Sequence, residues 1–490
     1  MRNCFKLLLF TTIWLVIDIP TSATRTSTNH HGDTSTSKSA TKTTTTLATL
    51  SNGESIPLIG LGVGNLQHEL IHSVLSSTWK EDVKEKVRLI DTARASRNER
   101  IISDAVSKLS HELTVEKEVT DEEGDESSSS IIHIVTKVWY THLGYERTKL
   151  SVKESLNDLS SSLISANTEI HVHILLHWPR CNDAIPWMKC EEEEHNLPQY
   201  VKDIGPPPHL DKENAWRGSW KALEDLYLDY QDQTQRKKSN QNVKVSSIGV
   251  SNFEFKDMDS LLHDCRIKPH LYQGNVWSIM FDPYLMNLIQ EHDTVFQAYN
   301  IMNGIWEQKS AAPRAFDILT KVGNDLKSRM TKQRRRIGDK EKKSISSISE
   351  AMVIMSWLVQ EGIAIIPRAS SVSHQQENSP ESLKQVPLLS KEEKDIVKNA
   401  MAALLRGEDL KVKATFQNSL SSGHLQVHWV NNENGQEFPV VEKIHPGELH
   451  TIETHPGHRF AVYDETKKQR REFSVTALYG GKEFFSVDEF

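Results

Sequence analysis

Between Leu50 and about Arg406 the sequence alternates short apolar runs with segments of helical period. This alternation constrains the fold more than any other feature. Ile56 to Gly62 reads as a strand ending in glycines. Ile101, Ile102, Ala105, Val106 and Leu109 recur at helical spacing. Ile131 to Lys137 reads as a strand, Leu156, Leu159 and Leu163 mark the next helix, and Ile170 to His177 is a buried strand. Val245 to Val250, Leu271 to Val276, Val295 to Tyr299 and Ile363 to Pro367 continue the series. Ala351 to Val359 is an amphipathic helix before the last strand. Strands that alternate with helices form a parallel sheet, because each helix carries the chain back to start the next parallel strand. Eight such units close into a barrel of about 250 residues, with its chemistry at the C-terminal ends of the strands.

After about Leu410 the pattern changes. Val412 to Phe416, Leu425 to Val430, Leu449 to Thr454, Phe460 to Tyr463 and Phe473 to Leu478 are short alternating strands. Asn434-Gly435, Pro446-Gly447, Pro456-Gly457 and Gly480-Gly481 punctuate them. The expected fold is therefore α/β: a (β/α)8 TIM barrel over 47–406, followed by a small antiparallel β-sandwich domain over 411–490.

The chain has 490 residues, of which 37% are apolar, a low share for a wholly folded chain. The polar excess has addresses. Residues 24–46 are nearly all Ser, Thr, Asn, His and Lys, and read as a disordered linker. Insertions fall near 112–130, 180–208 and 327–343. The second follows a strand, which puts it on the active-site face, in position to cover substrate. The third is basic; a solvated loop is its first reading and an anionic partner its second. Arg2 and Lys6, then Leu7 to Ile17, then Thr21-Ser22-Ala23, give the charge, apolar core and small-residue order of a signal peptide over 1–23. A short membrane anchor and an organelle-targeting segment are the alternatives. No apolar run reaches the roughly 18 residues of a spanning helix. The net charge of −8 argues against a nucleic-acid partner. If Cys4 leaves with the signal, Cys181, Cys190 and Cys265 remain. Cys181 and Cys190 flank one loop, either bridged in an oxidising lumen or as two thiols. The terminal Val487-Asp488-Glu489-Phe490 matches a lumenal retrieval signal in part, and otherwise reads as an acidic tail.

Several motifs sit at the expected strand ends. Gly60-Leu61-Gly62 follows the first strand. Ile90-Asp91-Thr92-Ala93 is followed by Asn98-Glu99. Thr136-Lys137-Val138-Trp139, Leu176-His177-Trp178-Pro179, Ile248-Gly249-Val250-Ser251-Asn252-Phe253 and Ile365-Ile366-Pro367-Arg368 follow in order, with Glu377-Asn378 after them. In order and spacing these resemble the aldo-keto reductase family across nearly the whole barrel. The resemblance implies hydride transfer from NADPH to a small-molecule carbonyl. Such transfer leaves an alkoxide that needs a proton and stabilising donors. Asp91, Lys137 and His177 fall on three of the family's four catalytic positions. The fourth, a tyrosine in the family, is Ser96, a shorter and much poorer acid. Tyr140 and Tyr145 lie near in sequence as substitutes, and His177 or a water is a further donor. By the same resemblance Ser251, Asn252 and Gln273 would meet the nicotinamide carboxamide and Tyr299 would stack on its ring. Arg368 would pair with the 2′-phosphate, and Asn378 would meet the adenine, supported by Glu377. Asn300, Ala369, His374 and Val63-Gly64 depart from the family pattern. No metal site is assigned.

Trp429, Pro446-Gly447, Thr454, Gly457-His458 and Phe460 resemble the β domain of the von Hippel–Lindau tumour suppressor over about 411–487. The resemblance implies a peptide pocket for hydroxyproline lined by Trp429, Thr454, His458 and Phe460. The pocket tyrosine has no clear match, with Phe438 nearest. The other reading places Trp429 and Phe460 in a sandwich core with His458 capping a turn. Two functions follow: an NADPH-dependent reductase of the secretory pathway weakened by Ser96, or an inactive barrel carrying a peptide-binding β module.

Overall fold

The computed structural model describes residues 46–64, 66–79, 87–120, 130–162, 168–235, 243–302, 305–337, 345–369, 371–466, 468–477 and 479–490. The expected signal, the linker up to residue 45, and parts of the first and third insertions lie outside them.

The chain starts with a hairpin of β1 (Leu47–Thr49) and β2 (Ser55–Pro57). Eight parallel strands follow: β3 (Leu61–Gly62), β4 (Leu89–Asp91), β5 (Ser130–Val138), β6 (Thr168–Leu176), β7 (Val243–Ser251), β8 (Leu271–Asn275), β9 (Val295–Tyr299) and β10 (Ala364–Ile365). They neighbour one another in chain order. A parallel bridge between Ile59 and Ile365 brings the two edges together. The sequence reads 56–62 as one strand; the structure divides it. Ser55–Pro57 turns antiparallel onto β1, and the hairpin plugs the barrel. Leu50 and Ile56 pack there with Leu89, Val135, Leu175 and Leu271 from inside the strands. Asn52 donates to the Tyr227 hydroxyl and the Ser246 carbonyl, and Lys244 pairs with Glu54 at 2.6 Å.

The second and third insertions carry helices. Residues 180–208 contain helices Cys190–His195 and Gln199–Ile204. The basic run continues helix Pro313–Ile337 as far as 337 instead of forming a loop. The reason is one buried face: Leu319, Val322, Leu326 and Met330 recur at helical spacing and hold the helix to the barrel.

The C-terminal module has seven strands: β11 (Val412–Asn418), β12 (Leu425–Val430), β13 (Glu437–Ile444), β14 (Leu449–Thr454), β15 (Arg459–Asp464), β16 (Arg470–Ser474) and β17 (Lys482–Val487). They form sheets ordered β14-β11-β17 and β13-β12-β15-β16 around Phe416, Val427, Phe460, Val462 and Phe485. All pairs are antiparallel except β11 with β17. The sequence did not reveal β17, nor β13, whose Phe438, Pro439 and Val440 are all exposed and show no alternation; the strand expected over 473–478 is β16, which ends at Ser474. Asn399 donates to the Gly480 carbonyl, and the Arg314 guanidinium lies 4.8 Å from the Tyr479 ring. The module therefore docks on helices outside the barrel.

Candidate active site

The motif between Asp91 and Glu99 is first a brace. Asn98 donates to the Val63 carbonyl and accepts from the Thr92 hydroxyl at 2.5 Å. Glu99 accepts from Thr136 at 2.6 Å and pairs with Arg94. These bonds fix the turn after β3 against the ends of β4 and β5. Gly249 has a similar structural origin. A side chain there would bring a Cβ within 2.1 Å of the Leu271 carbonyl oxygen, so only glycine lets β7 and β8 approach so closely.

On this frame the Lys137 ammonium donates to Asp91 Oδ1 at 2.8 Å and to the Thr92 carbonyl at 2.5 Å. Lys137 is buried, and Asp91 also accepts from Gln273 Nε2 at 2.7 Å. His177 follows β6. Burial and the Lys137 charge hold its pKa well below the usual histidine range, so it is a neutral imidazole. Its Nδ1 and the indole N–H of Trp178 have no partner among the described residues.

Ser96 lies in the short turn Arg94–Ser96, and its hydroxyl faces Gly64: a Cβ on that glycine would sit 3.2 Å from it. The tyrosines near in sequence are engaged elsewhere. Tyr140 donates to Glu193, and Tyr145 donates to Asp225 at 2.8 Å. Burial and the Glu193 carboxylate raise the Tyr140 pKa, which weakens it further as an acid.

The candidate cofactor residues line the adjacent strand ends. Asn252 has φ 59° and donates to the His177 carbonyl and the fully buried Ser251 hydroxyl. It accepts from the Tyr299 hydroxyl at 2.5 Å. Gln273 also donates to Gln297, whose own Nε2 has no partner among the described residues. Arg368 is exposed after β10 and makes no ion pair among the described residues. Glu377 accepts from Ser349 at 3.3 Å, and Asn378 caps helix Val372–Glu377 at its C-terminal end.

Glu193 and Trp187 were not legible in the sequence, since both sit on the insertion after β6. Glu193 also accepts from Trp139 Nε1 at 2.7 Å. The Trp187 ring lies 6.2 Å from Trp139 and 5.7 Å from Trp178, and Trp139 lies 4.9 Å from His177. Cys181 and Cys190 are bridged, with Cα atoms 5.8 Å apart.

In the β module, Thr454 and His458 hydrogen-bond at 2.9 Å, and Trp429 lies between His458 at 5.5 Å and Phe438 at 5.6 Å. Trp429 Nε1 and His455 Nδ1 are unpartnered among the described residues. Phe460 takes the core position: it is 2% exposed and packs on Phe416 at 5.4 Å.

A family model described as "Aldo/keto reductase family" matches residues 77–400. An aldose reductase of Encephalitozoon cuniculi is 26% identical over 331 residues, 67% of this chain and 86% of that protein. An NADPH-dependent aldose reductase of Saccharomyces cerevisiae is 25% identical over 368 residues, 74% of this chain and 95% of that protein. Among solved structures, a Bombyx mori aldo-keto reductase has a TM-score of 0.47 at 19% identity, over 75% of this chain and 89% of its own.

Proposed function

As the chain belongs to the aldo/keto reductase family, we propose that it is an NADPH-dependent oxidoreductase of the secretory pathway, acting slowly on a small carbonyl compound. The observation that carries this reading is the buried Asp91–Lys137 pair at strand ends shared with His177 and the Asn252–Tyr299 contact.

The residues fit the cofactor. Arg368 offers a planar fork with no ion pair among the described residues, which suits a phosphate better than a hydroxyl. Gly62 lets β3 lie close to the segment that leads to Arg368, because a Cβ there would come within 3.1 Å of the Ile366 carbonyl. Ser251, Asn252 and Gln273 would hold the carboxamide, Tyr299 the ring face, and Asn378 with Glu377 the adenine. When bound, NADPH supplies the hydride. Asp91 holds the Lys137 ammonium in place, so that its field stabilises negative charge developing nearby. The neutral His177 orients the carbonyl oxygen by hydrogen bonding. Ser96 gives up a proton poorly, so the alkoxide draws on water. The secretory assignment is supported by the Cys181–Cys190 bridge, since disulfides persist in oxidising compartments. Protease protection of the chain in microsomes tests it. Titration of the full chain with NADPH, read by fluorescence, tests the enzyme reading. Saturable binding is expected, and its absence overturns the reading.

A second reading rests on the β module, as a peptide-binding site on a weakly active barrel. Trp429 Nε1 and His455 Nδ1, unpartnered among the described residues and grouped with Thr454 and His458, favour it, because unpaired polar atoms among aromatic rings suit a polar ring such as hydroxyproline. Pull-downs with proline and hydroxyproline peptides, wild type against His458→Ala, test it.

A further inference from the structure

Trp187 is 41% exposed on the ten residues that the Cys181–Cys190 bridge closes. An exposed indole on an open loop would sample many positions. Closing the loop removes most of them before anything binds. The loop is fixed at both ends. Cys181, Met188 and Cys190 are buried. Beyond Cys190, Arg147 clamps Glu194 through two bonds of 2.9 Å and donates to the Gly205 carbonyl. Glu193 reaches back to Trp139 and Tyr140. Before Cys181, Arg180 pairs with Asp257. Trp187 is thereby held against Trp139, with rings 26° from parallel, and against Trp178, at 64°. His177 touches both flanking indoles, at 4.9 and 6.5 Å.

We propose that the bridged loop makes Trp187 the third wall of an aromatic site beside His177, so that the site selects carbonyl compounds bearing a flat ring only while Cys181 and Cys190 are joined. Three indoles around one imidazole offer ring faces and edges, which favour a flat π-surface over a short alkyl chain. The Glu193 carboxylate, satisfied by Trp139 and Tyr140, aligns the wall. A dithiol reduces the bridge by exchange: two electrons and two protons pass to the two sulfurs, and the dithiol closes to its own disulfide. The loop then keeps its flanking clamps but loses the closure that holds Trp187. The proposal rests on the reductase reading for its carbonyl substrate class.

The experiment uses the full chain with acetophenone and butanone as probes, their binding measured by calorimetry with and without NADPH. Acetophenone is expected to bind about 2- to 10-fold more tightly than butanone. Trp187→Ala should remove that preference and Trp187→Phe keep most of it. Dithiothreitol treatment followed by desalting, and the Cys181→Ser/Cys190→Ser variant, should each reduce it, with circular dichroism unchanged. A preference that survives Trp187→Ala, or that survives reduction once thiol titration shows the bridge open, overturns the proposal. NADPH binding without any preference for acetophenone overturns this proposal alone. Failure to bind NADPH with the preference intact overturns the reductase reading and leaves the aromatic site standing.

Discussion

Tyr140 donates its hydroxyl to Glu193, so the phenol nearest in sequence to Lys137 is committed to a carboxylate and not to the lysine. A phenol held against a carboxylate gives up its proton less readily, and burial adds to this. Tyr140 therefore does not stand in for the family tyrosine. Ser96→Tyr should raise kcat for an aromatic aldehyde by about 10²-fold or more, the lower range for a positioned general acid. Tyr140→Phe should leave kcat where it is. Steady-state assays on both variants decide it, and a collapse of activity in Tyr140→Phe would return the acid role to that residue.

The Lys137–Asp91 pair is buried, so removing one partner strands the other charge. Lys137→Met should cost about 3–5 kcal/mol of stability. The double variant Asp91→Asn/Lys137→Met should recover much of it, because the introduced amide is uncharged yet keeps an acceptor oxygen for Gln273. Urea melts of the wild type and the variants measure both effects. Equal loss in the single and double variants would show that the pair is not electrostatically coupled.

Asp91, Lys137 and His177 were legible through the motifs that resemble the aldo-keto reductases, and the placement of those motifs is local. Asp91, Lys137 and His177 each close an apolar run, and barrel geometry turns the ends of such runs toward one mouth. Glu193 and Trp187 were hidden by long-range placement. Nothing in an acidic stretch such as Glu191 to Glu194 shows that one carboxylate will hold Trp139 and the next Arg147. Ile56 and Leu61 fall in one apolar run but are apolar for different reasons, one as plug and one as barrel wall. Phe460 shows the limit of carrying pocket roles over by position. It pairs in register with Trp429, but its ring belongs to the core, against which Trp429 also packs.

A histidine stack lies lower in the barrel. His133 shares a hydrogen bond with His173 at 3.0 Å, and His173 another with Ser247 at 2.7 Å. The His171 ring meets His133 edge-on at 5.3 Å, with Glu169, Glu54 and Lys244 around it. Burial and neighbouring charge push His133 down to about 3 and His173 well below its usual value. Both are neutral when folded and take up protons when unfolded. Their contribution is complete above the unfolded value of about 6.5 and is lost as pH falls from there toward 3, at about 1.4 kcal/mol per pH unit for each histidine. Stability measured by urea melts should therefore fall between pH 6.5 and pH 5. In His133→Leu that slope should be shallower by about one proton. An unchanged slope would mean that His133 is protonated in the folded chain.

Arg368 bears on cofactor choice. A charged hydrogen bond contributes about 1.5–3 kcal/mol, so Arg368→Ala should weaken NADPH binding by about 10- to 100-fold. NADH, which lacks the 2′-phosphate, should lose little. The ratio of the two dissociation constants is the readout. A parallel loss for both would place Arg368 on a group they share.

Phe460 and His458 are two residues apart and should respond in opposite ways. Phe460 fills the module core against Phe416, so Phe460→Ala should cost about 3–5 kcal/mol through lost burial and a cavity. His458 is partly exposed between Trp429 and Thr454, so His458→Ala removes one hydrogen bond and should cost about 1 kcal/mol. If the module reads a hydroxylated proline, His458→Ala should abolish the difference between hydroxyproline and proline peptides with the fold intact. Phe460→Ala should lower the melting temperature of the full chain, and any loss of peptide binding should track that unfolding. A peptide preference that persists in folded His458→Ala would remove His458 from the pocket and leave the Thr454 contact as a turn cap.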